Sequence, residues 1–347
     1  MSQQIIFTNQ VEHALAMAVA EGKPNRVFVL TDENTQRLVL PQLNIDATPI
    51  TIAAGDSHKG LDSLQQVWQA LQQGGATRQS VLVNLGGGVV TDLGGFAAAT
   101  FKRGIRFVNV PTTLLCAVDA AVGGKTGINY GGLKNEIGAF AEASHVIIST
   151  RFLDTLPPEE FKSGFAEMVK HALLSDEREF NSLLEIDFKN LDLEALLSRL
   201  QTSVTVKQRI VNEDPHEHGL RRALNLGHTV GHAFESHAMA HGKTIAHGFA
   251  VAWGLVAEGV LSHMLLKWDS TALQRLARFV RDNYGAYHIT CDDYDMLLNF
   301  MHHDKKSRQG EIDCTLLSQA GQPHVGMTID DSDMKTALDI YRDLMGI

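Results

Sequence analysis

The chain contains 347 residues, of which 44% are hydrophobic and 20% charged, and its formal net charge is −10. A chain of this length can bury its core in about two domains without disulfides or a structural metal. Its acidic balance argues against nucleic acid or an anionic membrane as a partner, because both require a basic surface.

The first 150 or so residues alternate short apolar runs with helical patterns. Strands are predicted at Arg26–Thr31, Pro49–Ala53, Val81–Leu85, Ile105–Val110 and His145–Ser149. Between them, Leu61–Gln72 places its apolar residues at the i, i+3, i+4, i+7 spacing of one buried helix face. This alternation predicts a mostly parallel sheet covered by helices, with ligands at the carboxyl ends of the strands.

Helical patterns dominate after the Pro157-Pro158 pair, so we place a domain boundary there, giving domains 1–156 and 157–347. Helices are predicted at Glu159–Leu174, Leu191–Asn212, Leu220–Met239, Ala246–Leu265, Thr271–Asn283 and Ser332–Met345, with strand-like runs at Glu311–Leu317 and Val325–Thr328. The predicted fold class is therefore α/β plus α, with a mostly helical carboxyl-terminal domain.

Cysteines and apolar segments indicate the compartment. The three cysteines are far apart and show no Cys-x-x-Cys spacing. A disulfide framework or thiolate zinc site is therefore not expected, and a reducing cytoplasm fits. The apolar stretch Val251–Leu266 is interrupted by Glu258 and His263, so no membrane-spanning segment is expected.

A glycine-rich turn, Gly86-Gly87-Gly88, follows a predicted strand and precedes a helical pattern. Such glycines let the backbone approach a pyrophosphate, and the amino end of the next helix favours its negative charge. The spacing is not Gly-x-Gly-x-x-Gly, because Thr91 stands at the last glycine position. A phosphate or dinucleotide site and a simple tight turn therefore both remain open.

Three cations lie on glycine-rich or strand-end segments, where side chains can converge on one phosphate: Arg103, Lys125 and Lys134. Lys125 belongs to Gly123-Gly124-Lys125-Thr126, which resembles the tail of a phosphate loop but lacks its leading glycine. Each cation could equally be a solvated surface charge.

His228 and His232 are four residues apart, which on a helix places both imidazoles on one face. His247 stands at the predicted start of the next helix, within reach if the two helices pack antiparallel. A carboxylate would complete a three-ligand site with an open position, as in catalytic zinc sites. Glu167 and Glu235 are the two candidates, and spacing alone does not choose between them.

Five blocks, in one order along nearly the whole chain, resemble the 3-dehydroquinate synthase family: GGGVVTDLGGFAAATFKRGIRFVNVPTTLLCAVDAAVGGKTGINYGGLKNEIGAF, LPPEEFKSGFAEMVKHALL, GLRRALNLGHTVGHAFES, HGFAVAWG and HHDKKSRQG. The resemblance implies a Rossmann-like amino-terminal domain, a helical carboxyl-terminal domain and a homodimer. It also implies NAD and one divalent metal, zinc or cobalt, in the cleft between the domains.

The resemblance also implies a role for individual residues. The metal ligands would be Glu167, His228 and His247, which decides against Glu235. The NAD site would comprise Asp32, Asp56, Lys59, Gly86, Gly87, Gly88, Asp92, Thr112, Thr113, Lys125, Lys134, Phe152, Leu153, Asp154 and Thr155. Substrate contacts would come from Arg103, Asp119, Lys125, Lys134, Asn135, Lys170, Lys207, Arg221, Asn225, His232 and Lys305, with Lys306 an alternative to Lys305.

Three positions depart from the family pattern. Asp56 stands where the family usually has glutamate, Thr91 replaces a usual glycine, and NYGGLKN replaces NHPxGKN. The first two concern the affinity for the cofactor. The third keeps Lys134 and Asn135 but changes the preceding loop.

The implied reaction is a lyase step of the shikimate pathway, which leads to the aromatic amino acids. It converts 3-deoxy-D-arabino-heptulosonate 7-phosphate to 3-dehydroquinate and phosphate, through transient oxidation, β-elimination of phosphate, reduction, ring opening and aldol closure. Arg221 and Lys207 are expected to bind the substrate carboxylate, since a guanidinium fork matches it. Lys125, Asn225, His232, Lys305 and Arg103 are expected to bind phosphate, with Arg103 reaching from a partner subunit.

Three alternatives predict different residues. A sugar-phosphate cyclase whose substrate lacks the carboxylate would not need Arg221. A polyol dehydrogenase would consume NAD stoichiometrically and would not need the cations of the Gly-Gly-Lys-Thr and Asp-Lys-Lys segments. A non-catalytic dinucleotide-binding regulator would lack ligands or cations, and none of the expected ones is missing from the sequence.

Overall fold

The structure is a computed structural model that describes residues 3–214, 219–303 and 311–347. The chain divides into two compact units. The first contains the residues up to Pro157 together with Asp192–Val204, and the second contains Pro158–Leu191 and Thr205–Ile347.

The first unit is built on a six-stranded, all-parallel sheet in the order β1-β8-β5-β4-β2-β3. The elements are β1 (Gln4–Phe7), α1 (Val11–Ala20), β2 (Val27–Asp32), α2 (Glu33–Leu38), β3 (Thr48–Ile52), α3 (Leu61–Gln73), β4 (Val81–Gly86), α4 (Gly88–Thr100), β5 (Arg106–Pro111), β6 (Lys125–Tyr130), β7 (Leu133–Phe140) and β8 (His145–Ile148). The predicted parallel sheet and the helix at Leu61–Gln72 are confirmed. The central strand β4 is buried along its whole length, as expected for a sheet covered on both faces.

Strands β6 and β7 form a separate antiparallel hairpin that the sequence patterns did not predict. Its turn is Gly131-Gly132, and both residues have positive φ, of 60° and 82°. Consecutive glycines of this kind suit a two-residue hairpin turn. The NYGGLKN departure therefore builds a tight turn, and Lys125-Thr126 begins a strand rather than the helix that follows a nucleotide phosphate loop.

The second unit is mostly helical. Its elements are α5 (Pro158–Leu173), α6 (Glu177–Leu183), α8 (His228–Ala240), α9 (His247–Leu266), α10 (Ser270–Tyr284), α11 (Tyr294–His302), β9 (Ile312–Gln319), β10 (Gln322–Ile329) and α12 (Asp331–Met345). Helix α7 (Leu193–Glu213) belongs to the first unit up to Val204 and to the second from Thr205. The predicted α/β plus α fold class is confirmed, whereas α1, α2, α6 and α11 were not predicted.

The single helix predicted at Leu220–Met239 is wrong. The chain forms a 3₁₀ turn at Leu220–Asn225, and α8 begins only at His228. Gly227 between them is left-handed, with φ +79°, and a Cβ there would lie 2.8 Å from the Leu255 side chain. Close packing on α9 therefore requires glycine at this break.

By length and composition alone, helix α9 could cross a membrane, because an 18-residue stretch of it has a mean hydropathy of 1.6. However, 72% of that stretch is buried inside the structure. It packs against α5, α8, α10 and α12 and is the core helix of the second unit.

Candidate active site

Three potential metal ligands converge in the second unit. Glu167 lies on α5, while His228 and His247 are the first residues of α8 and α9. Oε1 of Glu167 is 3.5 Å from Nε2 of His228 and 3.6 Å from Nε2 of His247. Two donor atoms bound tetrahedrally to one zinc ion stand roughly 3.4 Å apart, given bond lengths of about 2.0–2.1 Å. The distances from Glu167 Oε1 to the two imidazole nitrogens therefore fit a single small cation, and all three ligand atoms lie within 4.8 Å of one another.

The electrostatics of this cluster also fit a cation. Glu167 is 0% exposed, and its Oε2 forms an ion pair with Nζ of Lys170. Burial by itself would raise the pKa of Glu167, but the positive charges of Lys170, His247 and His171 outweigh it and lower that pKa. A buried carboxylate held ionised beside two imidazoles is the donor set of a divalent transition metal.

His247 responds to the same carboxylate. Burial would lower its pKa, but contacts with the Glu167 and Glu235 carboxylates outweigh burial and raise the pKa to about 9. The two carboxylates thus favour positive charge at the His247 imidazole, which a bound metal ion would also supply.

Close packing of α5, α8 and α9 fixes the distances among Glu167, His228 and His247. Gly248, next to His247, donates its N–H to Ser163 Oγ at 3.0 Å, and a Cβ on Gly248 would lie 1.9 Å from Ser163 O. Ser163 precedes Glu167 by one helical turn on α5. A Cβ on Gly254 of α9 would likewise lie 2.0 Å from Gly227 O, just before His228. Glycine contacts therefore set the approach of α9 to the other two helices.

Glu235, the rival carboxylate, lies on the other side of His247. Its Oε2 is 3.4 Å from Nδ1 of His247, and His232, Glu235 and His247 form a second group whose ligand atoms lie within 4.8 Å of one another. His232 is near both imidazoles, at 5.4 Å from the His228 ring centroid and 6.0 Å from that of His247. Nε2 of both His228 and His247 faces Glu167 instead, and Glu167 is the more deeply buried carboxylate.

The predicted substrate-binding residues of the second unit are largely buried. Lys170, Lys207 and Arg221 are 2%, 5% and 4% exposed, and Asn225 is half-buried. Asp214 holds the Arg221 segment by accepting its backbone N–H at 3.0 Å. The neighbouring Arg222, rather than Arg221, pairs with Asp313. Lys305 and Lys306 lie outside the described residues.

In the first unit, Lys59 connects two sets of predicted residues. Its Nζ is 2.5 Å from both Asp92 Oδ2 and Asn135 Oδ1, and its side chain is almost fully buried. Asn129, which sequence reasoning missed, donates to Asp56 Oδ2 at 3.2 Å and accepts from Asn135 N at 2.9 Å. Predicted cofactor residues (Asp56, Lys59, Asp92) and a predicted substrate residue (Asn135) thus share one network. The signal was hidden because Asn129 is a polar residue inside an unrecognised strand.

The glycine turn occupies the carboxyl end of β4, where ligands of parallel sheets lie. A Cβ on Gly86 would lie 2.5 Å from Val90, and Thr112 donates its N–H to Gly86 O at 3.0 Å. The Thr91 hydroxyl lies within hydrogen-bond distance of the carbonyl oxygens of Gly87 and Gly88, at 3.4 and 3.3 Å, and of the buried Sγ of Cys116, at 3.2 Å. The threonine at the usual glycine position therefore does not obstruct the turn.

Other predicted cofactor residues also make hydrogen bonds that stabilise the local backbone. Asp32 ends β2, and its Oδ1 caps α2 by accepting from Thr35 N at 2.7 Å. Phe152 and Leu153 are buried, whereas Asp154 is exposed. Thr155 donates its hydroxyl to Phe152 O at 2.7 Å, and Thr113 accepts from Cys116 N at 3.1 Å.

The remaining predicted residues of the first unit are polar side chains that lie in turns, on the hairpin or at its surface. Asp119 lies in a π-helical turn, Cys116–Ala120. Lys125 and Lys134 are exposed on the hairpin. Arg103 has a φ of +67° and lines an open surface cavity with Thr77, Arg78 and Lys102.

Comparison with solved structures identifies the fold. The chain superposes on 2-deoxy-scyllo-inosose synthase complexed with carbaglucose-6-phosphate, NAD+ and Co2+ with a TM-score of 0.80 at 22% identity, covering 96% of this chain and 95% of that one. A 2-epi-5-epi-valiolone synthase from Streptomyces hygroscopicus, with NAD+ and Zn2+ bound, gives a TM-score of 0.81 at 24% identity, covering 99% and 96%.

Sequence comparison identifies the family. The chain is 44% identical to a 3-dehydroquinate synthase of Parabacteroides distasonis over 99% of both chains. It is 39% identical to one from Acinetobacter baylyi over 91% of this chain and 89% of that one. The family models for the 3-dehydroquinate synthase amino-terminal and carboxyl-terminal regions match residues 49–163 and 164–307. The chain therefore belongs to the 3-dehydroquinate synthase family of carbon–oxygen lyases.

Proposed function

We propose that this chain converts 3-deoxy-D-arabino-heptulosonate 7-phosphate into 3-dehydroquinate and phosphate, using NAD and one divalent metal, zinc or cobalt. The observation that carries the proposal is the convergence of Glu167, His228 and His247 in a chain of this family. The NAD+ and the Zn2+ or Co2+ bound by the two structural relatives support the same cofactors here.

Glu167, His228 and His247 would hold the metal and leave one position open for the substrate. When bound, NAD supplies reversible hydride transfer and the metal supplies Lewis acidity toward substrate hydroxyl oxygens. The tight packing around Ser163 and Gly248 keeps the three donor atoms at this spacing. Glu235, beside Nδ1 of His247, would orient that imidazole from outside the trio.

We assign NAD binding to domain 1–156, and metal binding together with the buried substrate-binding cations Lys170, Lys207 and Arg221 to domain 157–347. The glycine turn would approach the pyrophosphate, and Asp32 would bind the ribose while still capping α2. The other contacts would come from Asp56, Lys59, Asp92, Thr112, Thr113, Lys125, Lys134 and Phe152–Thr155. The Lys59 network supports this assignment, because it orders Asp92 and Asn135 around one buried cation.

The substrate carries a phosphate and a carboxylate, which explains buried cations in an acidic protein. Arg221 and Lys207 would bind the carboxylate. Lys125, Asn225, His232, Lys305 and Arg103 would bind the phosphate, and Asp119, Lys134, Asn135 and Lys170 would orient the rest of the substrate. Arg103 would come from a partner subunit, so the active species would be a homodimer. A reducing cytoplasm fits its three free cysteines.

The decisive experiment incubates the purified chain with the heptulosonate phosphate and NAD, following phosphate release and NADH together. We expect phosphate in large excess over NADH, because hydride removal and return balance within each turnover. NADH formed in equimolar amounts with product would indicate a dehydrogenase and contradict the proposal.

Metal dependence is tested in the same assay. Chelation should abolish activity, and zinc or cobalt should restore it in the wild type but not in His228→Ala or His247→Ala. His241→Ala is the matched control, because His241 is an exposed histidine at the end of α8. A rate that survives chelation would refute the metal assignment.

A further inference from the structure

Glu258 is a carboxyl group buried in the apolar middle of α9, and the proposed function does not use it. It is 0% exposed. Its Oε2 accepts the N–H of Gly227 at 2.6 Å, and its Oε1 accepts the N–H of Val230 at 3.2 Å. Both donors belong to the amino end of α8, whose first residue is His228. A buried carboxyl group is costly unless donors satisfy it, and these two donors lie beside a proposed metal ligand.

The two hydrogen bonds replace a capping box. In a capping box, one side chain accepts the third N–H of the helix and another accepts the N–H of the capping residue. Gly227 occupies the capping position and has no side chain to do this. Glu258 accepts both N–H groups from the neighbouring helix, and the amino end of α8 favours the negative charge of a carboxylate there.

The peptide group between Leu226 and Gly227 connects Glu258 to His228. Its N–H donates to Glu258, and its C=O lies 3.1 Å from Nδ1 of His228. A carbonyl oxygen can only accept, so Nδ1 carries a proton, and Nε2 of the neutral ring keeps its lone pair. That Nε2 is the atom 3.5 Å from Oε1 of Glu167.

Hydrogen bonds in series strengthen one another. A carboxylate on the N–H of this peptide makes its C=O a better acceptor for the imidazole proton. Metal-binding histidines commonly donate their second ring N–H to a carboxylate or a carbonyl, which fixes the ring and raises its basicity. Here the carboxylate acts through one intervening peptide group.

We propose that Glu258 is a positioning residue that fixes the tautomer and orientation of His228 through the Leu226–Gly227 peptide, and thereby strengthens metal binding. The inference rests on the metal site of the proposed function. It extends that site to a residue 30 positions further along the chain, in the core of another helix.

The test compares Glu258→Gln with wild type in the full-length protein. The amide keeps the volume but turns one of the two acceptors into a donor that faces an N–H. We expect the affinity for Zn2+ and Co2+, measured by competition with a chromogenic chelator, to fall by about 10- to 100-fold. The visible absorption bands of the Co2+-loaded protein should also shift, because the ligand field at His228 changes.

Ser262→Ala is the matched control. Ser262 is fully buried one turn further along α9, donates to Glu258 O at 2.8 Å and accepts from Leu317 N at 3.0 Å. Its removal should lower the thermal unfolding midpoint while leaving the metal affinity and the Co2+ spectrum at wild-type values.

Wild-type metal affinity in folded Glu258→Gln would overturn the inference and leave the proposed metal site intact. An equal loss of affinity in Ser262→Ala would also overturn it, because the effect would then follow stability alone. If wild type itself bound neither metal, the metal site of the proposed function would fall together with the inference. If Glu258→Gln does not fold, Glu258→Asp decides, since its carboxylate is one methylene short and predicts a smaller loss in the same direction.

Discussion

A methyl group at Gly248 should separate two proposed metal ligands. The Cβ of Gly248→Ala would lie 1.9 Å from Ser163 O, so α5 and α9 must move apart by about 1.1 Å to reach even 3.0 Å. The same shift would increase the 3.6 Å between Glu167 Oε1 and His247 Nε2 to about 4.7 Å. One metal with bonds of about 2.0–2.1 Å spans at most about 4.2 Å. We therefore expect the variant to lose at least about 100-fold in zinc affinity.

The assay is chelator competition, together with thermal unfolding in the presence and absence of zinc. Overpacking alone should cost about 1–3 kcal/mol of stability. Gly259→Ala on the same helix is the control, because its Cβ would lie 2.9 Å from the Trp268 ring, away from the three ligands. It should lose stability but bind zinc normally. Wild-type zinc affinity in Gly248→Ala would refute the argument that this contact sets the ligand spacing.

Three further predictions follow from single residues. Arg221→Lys keeps the charge but loses the planar guanidinium fork, so kcat/KM for the heptulosonate phosphate should fall roughly 10- to 100-fold while the metal content stays unchanged. Lower stability with an intact kcat/KM would refute carboxylate binding by Arg221. Asp32→Asn should keep the helix cap and the melting temperature but weaken NAD binding about 10-fold, as isothermal titration would measure; unchanged affinity would leave Asp32 only its capping role. Burial raises the pKa of Cys116 to about 12, and Cys314 is also buried, whereas Cys291 is exposed. A chromogenic disulfide reagent should therefore label one thiol per native chain quickly, at Cys291. Rapid labelling of the Cys291→Ser variant would contradict this packing.

The fold class could be predicted from the sequence because several strands and helices have sequence patterns that depend only on neighbouring residues. The apolar runs of β2, β4 and β5 and the amphipathic spacing of α3 are local patterns that can be recognised without the tertiary structure. Elements without such a pattern were missed or misread. The hairpin β6–β7 was hidden by glycines and polar residues, and the helix predicted at Leu220–Met239 is interrupted at Gly227, where packing against Leu255 requires a left-handed glycine.

For the candidate site, the sequence by itself determined the residue types and one pairing. The four-residue spacing of His228 and His232 places both rings on one helix face, and the resemblance nominated Glu167 over Glu235. Only the tertiary structure brought α5, α8 and α9 close enough for three donor atoms to share one cation, through glycines that admit backbone contact. It also placed Glu258, which reads in the sequence as an interruption of an apolar helix, against the N–H groups that begin α8. Such contacts join residues distant in the chain, and their energies depend on burial and on distances below 4 Å, which no local period encodes.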